Sequence, residues 1–239
     1  MKNKLAITKS VGALQLAYEQ LAGRDIGVPG MALVHGYTGA GKTTAITALV
    51  NTTRGVYVRA MRTWTPNTML GRIVTELQGA PMGRNAAMVD YIVSQLQEQN
   101  RPLFVDEADY LVAHSDMIET LRDIHDLSEQ PVVMVGMEGI ERRLAMRPQL
   151  ARRISHWVEF LRSDLADARA VTDAVCEVGV DDELLARLHA ESGGSVGLMV
   201  VGLARIEQLA RANGWARVDA AQWGERKLFI GGAPKTARG

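Results

Sequence analysis

Residues 35–45 read HGYTGAGKTTA and directly follow the apolar stretch MALV at 31–34. The glycines, the lysine and the first threonine fit the pattern G-x-x-x-x-G-K-[ST]. In such a loop, backbone N–H groups wrap phosphate oxygens and the following helix N-terminus adds partial positive charge. The stretch therefore predicts a phosphate-binding loop between a strand and a helix.

The residue types of this loop indicate separate roles. Lys42 is predicted to reach the β- and γ-phosphates of ATP, and the Thr43 hydroxyl is predicted to hold Mg²⁺. The predicted nucleotide-contacting residues are Gly36, Tyr37, Thr38, Gly39, Ala40, Gly41, Lys42, Thr43 and Thr44. A glycine-rich turn that binds nothing can share this pattern, so a second motif has to support the prediction.

The second motif is PLFVDEADY at 102–110, where an apolar strand ends in two carboxylates. By themselves Asp106 and Glu107 could be surface residues at a turn. Downstream of a phosphate loop, Asp106 is predicted to hold Mg²⁺ through its water shell, and Glu107 to orient and polarise the attacking water. The two motifs together predict an enzyme that binds ATP with Mg²⁺ and hydrolyses it.

Around these motifs, short apolar segments alternate with helical periodicity. The predicted strands lie at 31–35, 55–60, 102–107, 131–136 and 157–161. Fully apolar strands separated by amphipathic helices predict an α/β fold with a parallel five-stranded sheet flanked by helices.

From about residue 163 the strand pattern stops and helical periodicity continues. We therefore predict an α/β ATP-binding domain at 1–162 and a small helical lid domain at 163–230. The last residues, 231–239, are expected to form a disordered tail because they are small, polar and glycine-containing.

Composition limits the compartment and the mode of binding. Lys and Arg number 27 and so do Asp and Glu, so any attraction to nucleic acid needs a local basic patch. The chain has 1 cysteine, which excludes an internal disulfide and suits a reducing compartment. No apolar run approaches the length of a membrane span. These features predict a soluble, cytoplasmic protein without a membrane partner.

The order and spacing of the motifs resemble the AAA+ ATPases. More narrowly, the chain resembles the B transposition proteins of Mu-like phages and the related transposon target-selection ATPases, from about residue 5 to residue 230. The segments that carry the resemblance are LVHGYTGAGKTTA, RTWTPNTMLGRIV, FVDEADYL, VVMVGMEGI, RPQLARRI and SGGSVGLMVVGLARIEQLA.

The resemblance implies an arginine finger, a guanidinium that one subunit inserts into the ATP site of its neighbour. The matching position is Arg153, with Arg152 as the alternative. A finger acting in trans implies self-association into a ring or helical filament. The alternative reading is two exposed arginines at a helix C-terminus, where the helix dipole favours cations.

Two positions depart from the family pattern. Met137 stands where these ATPases usually carry a polar sensor residue, and Gly197 stands where the lid usually carries a sensor arginine. Arg205, two turns further along, is predicted to face the wrong way to substitute. These departures favour slow or partner-stimulated hydrolysis, with ATP acting as an assembly switch.

The resemblance also implies duplex DNA as a partner, contacted through the segment after the second strand. That segment is RAMRTWTPN, and the predicted DNA-binding residues are Arg59, Arg62 and Thr63. Such groups would bind phosphates without reading base sequence. An ordinary loop with solvated arginines is the alternative. The basic stretch at 141–153 could add DNA contacts or form a subunit interface.

Three functions therefore stay open. The first is an ATP-dependent, sequence-non-specific DNA-binding ATPase that delivers target DNA to a transposase and stimulates it. The second is an AAA+ ATPase with a protein client, such as a loader or a secretion-type ATPase. The third is a nucleotide-binding scaffold with little or no turnover.

Overall fold

The computed structural model describes residues 1–2, 4–25 and 27–229. These residues form two compact units. Among these described residues, one unit contains Ser10–Thr38 and Lys42–Leu161, and the other contains Met1–Lys9, Gly39–Gly41 and residues 162–229. Residues Met1–Lys9, part of the predicted first domain, thus group with the helical unit. The domain limits stay predictions, and the predicted tail at 231–239 lies outside the described residues.

The first unit is built on a five-stranded parallel sheet with the strand order β2-β3-β4-β1-β5. The predicted α/β class is confirmed. The strands are β1 (Met31–Gly36), β2 (Val56–Arg59), β3 (Leu103–Asp106), β4 (Val132–Val135) and β5 (Ile154–Phe160). All residues of β1, β3 and β4 are buried. Burial on both faces explains why these strands are recognisable as continuous apolar runs.

Strand β5 begins at Ile154, three residues before the predicted start at 157. It is an edge strand, and Ser155, Trp157 and Glu159 lie on its exposed face. The resulting alternation of buried and exposed residues does not form an apolar run. The start at 154 follows from pairing with β1, because Met31 N–H donates to the Arg153 carbonyl at 3.0 Å.

Helices cover both faces of the sheet, as expected for parallel strands joined by crossover connections. They are α1 (Lys9–Ala22), α2 (Lys42–Thr53), α3 (Pro66–Glu76), α4 (Asn85–Gln99), α5 (Asp109–Val112), α6 (Ser115–Ser128), α7 (Ile140–Ala145) and α8 (Pro148–Ala151). Two residues define the amino-terminal boundary of α3. The Thr65 side chain caps it by accepting from Thr68 N–H, and Pro66 occupies a position where no N–H is needed.

The second unit is mostly helical, with α9 (Leu165–Val175), α10 (Asp182–Ser192), α11 (Val196–Asn213) and α12 (Ala220–Trp223). A short side-chain acceptor caps each helix: Asp164, Asp181, Ser195 and Asp219. The expectation that strands stop at residue 163 is wrong. β6 (Gly179–Val180) and β7 (Arg217–Val218) form a parallel pair, too short to produce a periodic pattern.

No helix among the described residues has the length and apolarity needed to cross a membrane.

His125 joins α6 to the start of the sheet. Its Nε2 accepts a hydrogen bond from Gly30 N–H at 3.2 Å, and its Nδ1 lies 2.9 Å from the Gln130 carbonyl. Burial lowers the pKa of the imidazole below 6.5; the Gln130 carbonyl and Asp126 oppose this effect, and Arg24 and Arg153 add to it. The buried ring is therefore neutral, and it donates to one neighbour while it accepts from the other.

We expect this ring to make the protein less stable in acid. The unfolded chain binds the proton more readily, so stability that is fully present above pH 6.5 is lost as pH falls from 6.5 toward the lowered folded value. The slope of the free energy of unfolding against pH can reach about 1.4 kcal/mol per pH unit. Chemical denaturation between pH 7.5 and 5.5 should show a smaller loss for His125→Gln than for wild type. The exposed His114→Gln is the matched control; equal slopes in all three proteins would refute the expectation.

Candidate functional site

The predicted phosphate loop lies at the carboxyl end of β1, where ligands bind in open parallel sheets. Gly36, Gly39 and Gly41 have φ angles of 122°, 84° and 91°. These values lie in the region that only glycine adopts without strain. At Gly36 a Cβ atom would also stand 2.4 Å from the Phe160 carbonyl oxygen of β5. The loop conformation therefore requires these glycines.

Lys42 opens α2, and its ammonium is held by the loop itself. Its Nζ donates to the carbonyls of Gly36 at 2.7 Å and Tyr37 at 2.9 Å. Burial lowers the pKa of Lys42, although the carboxylates of Asp106, Asp109 and Glu107 act in the opposite direction. A half-buried ammonium bound by neutral carbonyls is well suited to exchange them for the charged oxygens of a phosphate.

Asp106 ends β3 and is buried, and three donors hold its carboxylate. Oδ2 accepts from the Thr43 hydroxyl and from the Tyr57 hydroxyl, each at 3.0 Å, and Oδ1 accepts from Glu107 N–H at 2.8 Å. The structure thus brings together the two residues predicted to hold Mg²⁺. A threonine hydroxyl and a carboxylate are hard oxygen donors of the kind that Mg²⁺ prefers, so the residues present fit this ion.

Tyr57 is a residue that the sequence analysis missed. Burial, followed by the neighbouring Asp106 carboxylate, raises the pKa of its hydroxyl to about 12, so the hydroxyl keeps its proton and donates. The signal was available in the spacing. Tyr57 and Arg59 alternate on β2, which places both on the face shared with Asp106 once Arg59 pairs with Asp106 across the sheet.

Glu107 directly follows Asp106 and has a φ of 56°, an uncommon value for a residue other than glycine. Its Oε1 accepts from Arg59 Nη2 at 3.0 Å. This pair is largely open to solvent, since 63% of the Arg59 side chain and 27% of the Glu107 side chain are exposed. An exposed ion pair contributes at most about 1 kcal/mol, so Glu107 is easily released.

The position expected for a polar sensor holds Met137, whose side chain is exposed. Its backbone N–H donates to Asp109 Oδ2 at 2.7 Å. Asp109, the first residue of α5, is buried and also forms an ion pair with Arg143 on α7. Backbone and ion-pair contacts thus order this loop without a polar side chain at 137. Arg143 was not distinguished from its basic neighbours by sequence.

The two arginines predicted as the finger differ in their surroundings. Arg153 makes a two-point contact with Asp126 on α6, from Nε to Oδ1 at 2.7 Å and from Nη2 to Oδ2 at 3.0 Å. Arg152 is exposed; its backbone N–H donates to the Pro148 carbonyl at 3.2 Å, and its side chain has no hydrogen-bonding partner among the described residues. Both lie at the amino end of β5. This strand has 7 residues, so they are roughly 20 Å from the phosphate loop of the same subunit.

The predicted DNA-binding residues lie on the segment between β2 and α3. Arg59, Arg62 and Thr63 are exposed, whereas Trp64 is buried and anchors the segment in the core. Of these, the structure connects only Arg59 to the ATP site, through Glu107. Arg62 and Thr63 stay separate from it.

Within the helical unit, Gly197 is the second residue of α11, and its N–H donates to the Gly39 carbonyl at 3.0 Å. Arg205 is engaged elsewhere, because its Nη1 donates to the Lys227 carbonyl at 2.7 Å.

Comparison with known proteins agrees with this geometry. The family described as "AAA domain" matches residues 26–144, just under half of the chain. The match contains the predicted phosphate loop, β2, the two carboxylates at the end of β3, and Met137. The fold is that of the AAA+ ATPases. No curated protein sequence matches the chain.

Several solved structures resemble most of the chain. The ORC2 protein of Aeropyrum pernix, solved as ADPNP–ADP complexes, superposes with a TM-score of 0.69 at 17% identity and covers 91% of this chain. The Cdc6p of Pyrobaculum aerophilum gives 0.62 at 17% identity over 88%. The ORC1 protein of A. pernix, solved in complex with DNA, gives 0.61 at 18% identity over 90%. This chain spans 66%, 63% and 64% of their respective lengths.

Proposed function

We propose that the chain is an ATP-dependent, sequence-non-specific DNA-binding AAA+ ATPase that oligomerises on duplex DNA and delivers this DNA to a transposase. The observation that carries the proposal is the link between the two halves of this activity. Arg59, a predicted DNA contact, forms an ion pair with Glu107, the predicted water-positioning carboxylate. DNA binding and ATP hydrolysis would then both depend on this ion pair.

The ATPase half is supported by the arrangement of the loop and the two carboxylates. Lys42 would bind the β- and γ-phosphates, Thr43 and Asp106 would hold Mg²⁺, and Glu107 would activate water. Mg²⁺, when bound, neutralises phosphate charge as the γ-phosphoryl group leaves. Glu107 has to leave Arg59 before it can serve as an acceptor for the proton of water. We therefore propose that hydrolysis is slow until a partner binds the Arg59 guanidinium and releases Glu107.

A DNA phosphate is a suitable partner for Arg59. The guanidinium is exposed, and phosphate binds guanidinium groups in the same two-point manner as a carboxylate. Arg62 and Thr63 would bind neighbouring phosphates. These contacts carry no base information, which supports binding that is indifferent to sequence. The A. pernix ORC1 protein, which shares the fold, was solved in complex with DNA.

The basic stretch at 141–153 divides between two ends of the sheet. Arg143 lies beside Asp109 and Arg147 donates to the Val112 carbonyl, both near the carboxyl end. Arg153 lies at the amino end. We therefore assign the first part to additional phosphate contacts and the second part to the subunit interface. A finger roughly 20 Å from its own ATP site can act only on another copy, which supports self-association.

The transposase partner rests on the resemblance to the B proteins of Mu-like phages, in the order and spacing of the motifs. Because the net charge of the chain is 0, one subunit would bind DNA weakly. Many subunits on one duplex would add their contacts, so ATP-driven assembly would control DNA binding.

The test is fluorescence anisotropy of a labelled random-sequence duplex, titrated with protein and a non-hydrolysable ATP analogue, ADP or no nucleotide at two salt concentrations. Binding is expected only with the ATP analogue and should weaken steeply with salt. Arg62→Ala should weaken binding equally for unrelated sequences and make the salt dependence shallower. Arg59→Ala should have the same effect on DNA binding. This substitution also releases Glu107, but the ATP analogue cannot be hydrolysed, so a change in hydrolysis does not affect the measurement.

The exposed Arg217→Ala, in the helical unit, is the matched control. Lys42→Ala should abolish the nucleotide dependence. No binding of DNA in any nucleotide state would refute the DNA half and favour a protein client, while unchanged binding by both loop variants would place the DNA contacts elsewhere.

A further inference from the structure

Tyr57 makes a contact that the ATPase mechanism described above does not use. Its hydroxyl donates to Asp106 Oδ2 at 3.0 Å, the same oxygen that accepts from Thr43. Tyr57 lies in the middle of β2, between the buried Val56 and Val58, and is itself half-buried. A strand position of this kind holds a side chain more rigidly than a loop position does.

The sheet register determines this contact. β2 and β3 are parallel neighbours in which Arg59 pairs with Asp106 and Tyr57 pairs with Phe104. Side chains two residues apart on a strand share a face. Tyr57 and Arg59 are therefore both directed at the two carboxylates at the end of β3, and each reaches a different one: Tyr57 reaches Asp106, and Arg59 reaches Glu107.

The chemical difference between these two donors matters for a cation site. An arginine beside Asp106 would neutralise the carboxylate and compete with Mg²⁺. A tyrosine hydroxyl is neutral, so it fixes the orientation of the carboxylate and leaves the negative charge available for the ion. Together with Glu107 N–H on Oδ1, Tyr57 leaves Asp106 held at both oxygens by groups that are not Mg²⁺ ligands.

We infer that Tyr57 is a positioning residue of the Mg²⁺ site, which holds the Asp106 carboxylate in the orientation that receives the hydrated ion. The inference rests on the proposed function, because it requires that Mg²⁺ and ATP bind here. Partners in the outer shell of a metal site typically change metal affinity or activity by about 10- to 100-fold when they are removed.

The test is Tyr57→Phe, which removes the hydroxyl and keeps the ring. Mg²⁺ is titrated into protein saturated with a fluorescent ATP analogue, and the analogue alone is titrated into protein in EDTA. We expect the Mg²⁺ affinity to fall by about tenfold or more, with unchanged affinity for the metal-free analogue and an unchanged melting temperature of the nucleotide-free protein.

Tyr91→Phe is the matched control, because the Tyr91 hydroxyl donates to the Leu77 carbonyl at 3.4 Å, on helices away from the carboxylates. Unchanged Mg²⁺ affinity in Tyr57→Phe would overturn the inference. So would an equal loss of affinity for metal-free and metal-bound nucleotide, which would mean that Tyr57 supports the pocket as a whole. Failure of the wild-type protein to bind Mg²⁺ with the analogue would refute the proposed function itself. The wild-type titration is independent of the Tyr57→Phe titration, so the two failures are distinguishable.

Discussion

Replacing Glu107 by glutamine is expected to lower ATP hydrolysis by about 10²- to 10⁴-fold while ATP stays bound. Glutamine has the same shape as glutamate, and its carbonyl oxygen can still accept from Arg59. It cannot take a proton from water. The loss should therefore appear in the rate constant of the chemical step, and the affinity for ATP should hardly change.

Single-turnover hydrolysis of radiolabelled ATP measures this step directly, with and without duplex DNA. Glu98→Gln is the matched control, because Glu98 is exposed on α4 and its carboxylate accepts a hydrogen bond from the Gln95 side chain, away from the carboxylates at 106 and 107. DNA should accelerate the wild-type protein and leave Glu107→Gln slow. A variant that turns over at the wild-type rate would show that another group positions the water.

Removing the proposed arginine finger is expected to have an effect at least as large. Loss of a finger lowers hydrolysis in assembled ATPases by about 10³- to 10⁵-fold. We expect this loss for Arg153→Ala in the DNA-bound assembly, with ATP and DNA binding retained. The contact between Arg153 and Asp126 does not prevent the role. It is solvent-exposed and worth at most about 1 kcal/mol, so the side chain can leave Asp126 for a neighbouring subunit.

A mixing experiment tests whether the finger acts in trans. In the proposed mechanism, Arg153→Ala keeps the ATP site and loses the finger, whereas Lys42→Ala keeps the finger and loses the phosphate-binding lysine. Each alone should be inactive, and an equimolar mixture should recover part of the activity. Arg152→Ala separates the two candidates, and the exposed Arg84→Ala is the control for loss of a surface arginine. If mixing restores nothing, hydrolysis does not use Arg153 in trans.

The fold was largely predictable because its defining strands are buried on both faces. β1, β3 and β4 are buried throughout and each begins with an apolar run, so each is visible between helices of amphipathic pattern. Where one face is exposed, as in β5, the pattern alternates and the start was placed too late. The pair β6 and β7 was missed, because two residues cannot show a period.

The ATP site was predictable to the extent that its residues are local in sequence. The loop at 36–44 is one continuous segment, and Asp106 and Glu107 are adjacent. Their partners come from other elements. Tyr57 reaches Asp106 through the pairing of β2 with β3, and Arg143 reaches Asp109 from α7. The alternation of Tyr57 and Arg59 on β2 points to Asp106 only once the pairing of β2 with β3 is known, and the Arg143 contact has no sequence signature.

By itself, the sequence determined that this chain has a phosphate loop, two carboxylates after a buried strand and an α/β architecture, because these features depend on short segments and on periodicity. Only the tertiary structure decided that Arg59 holds Glu107, that Tyr57 holds Asp106 and that Arg153 lies at the far end of the sheet from its own ATP site. The physical reason is that the order and register of parallel strands bring together residues that are 40 or more positions apart in the chain.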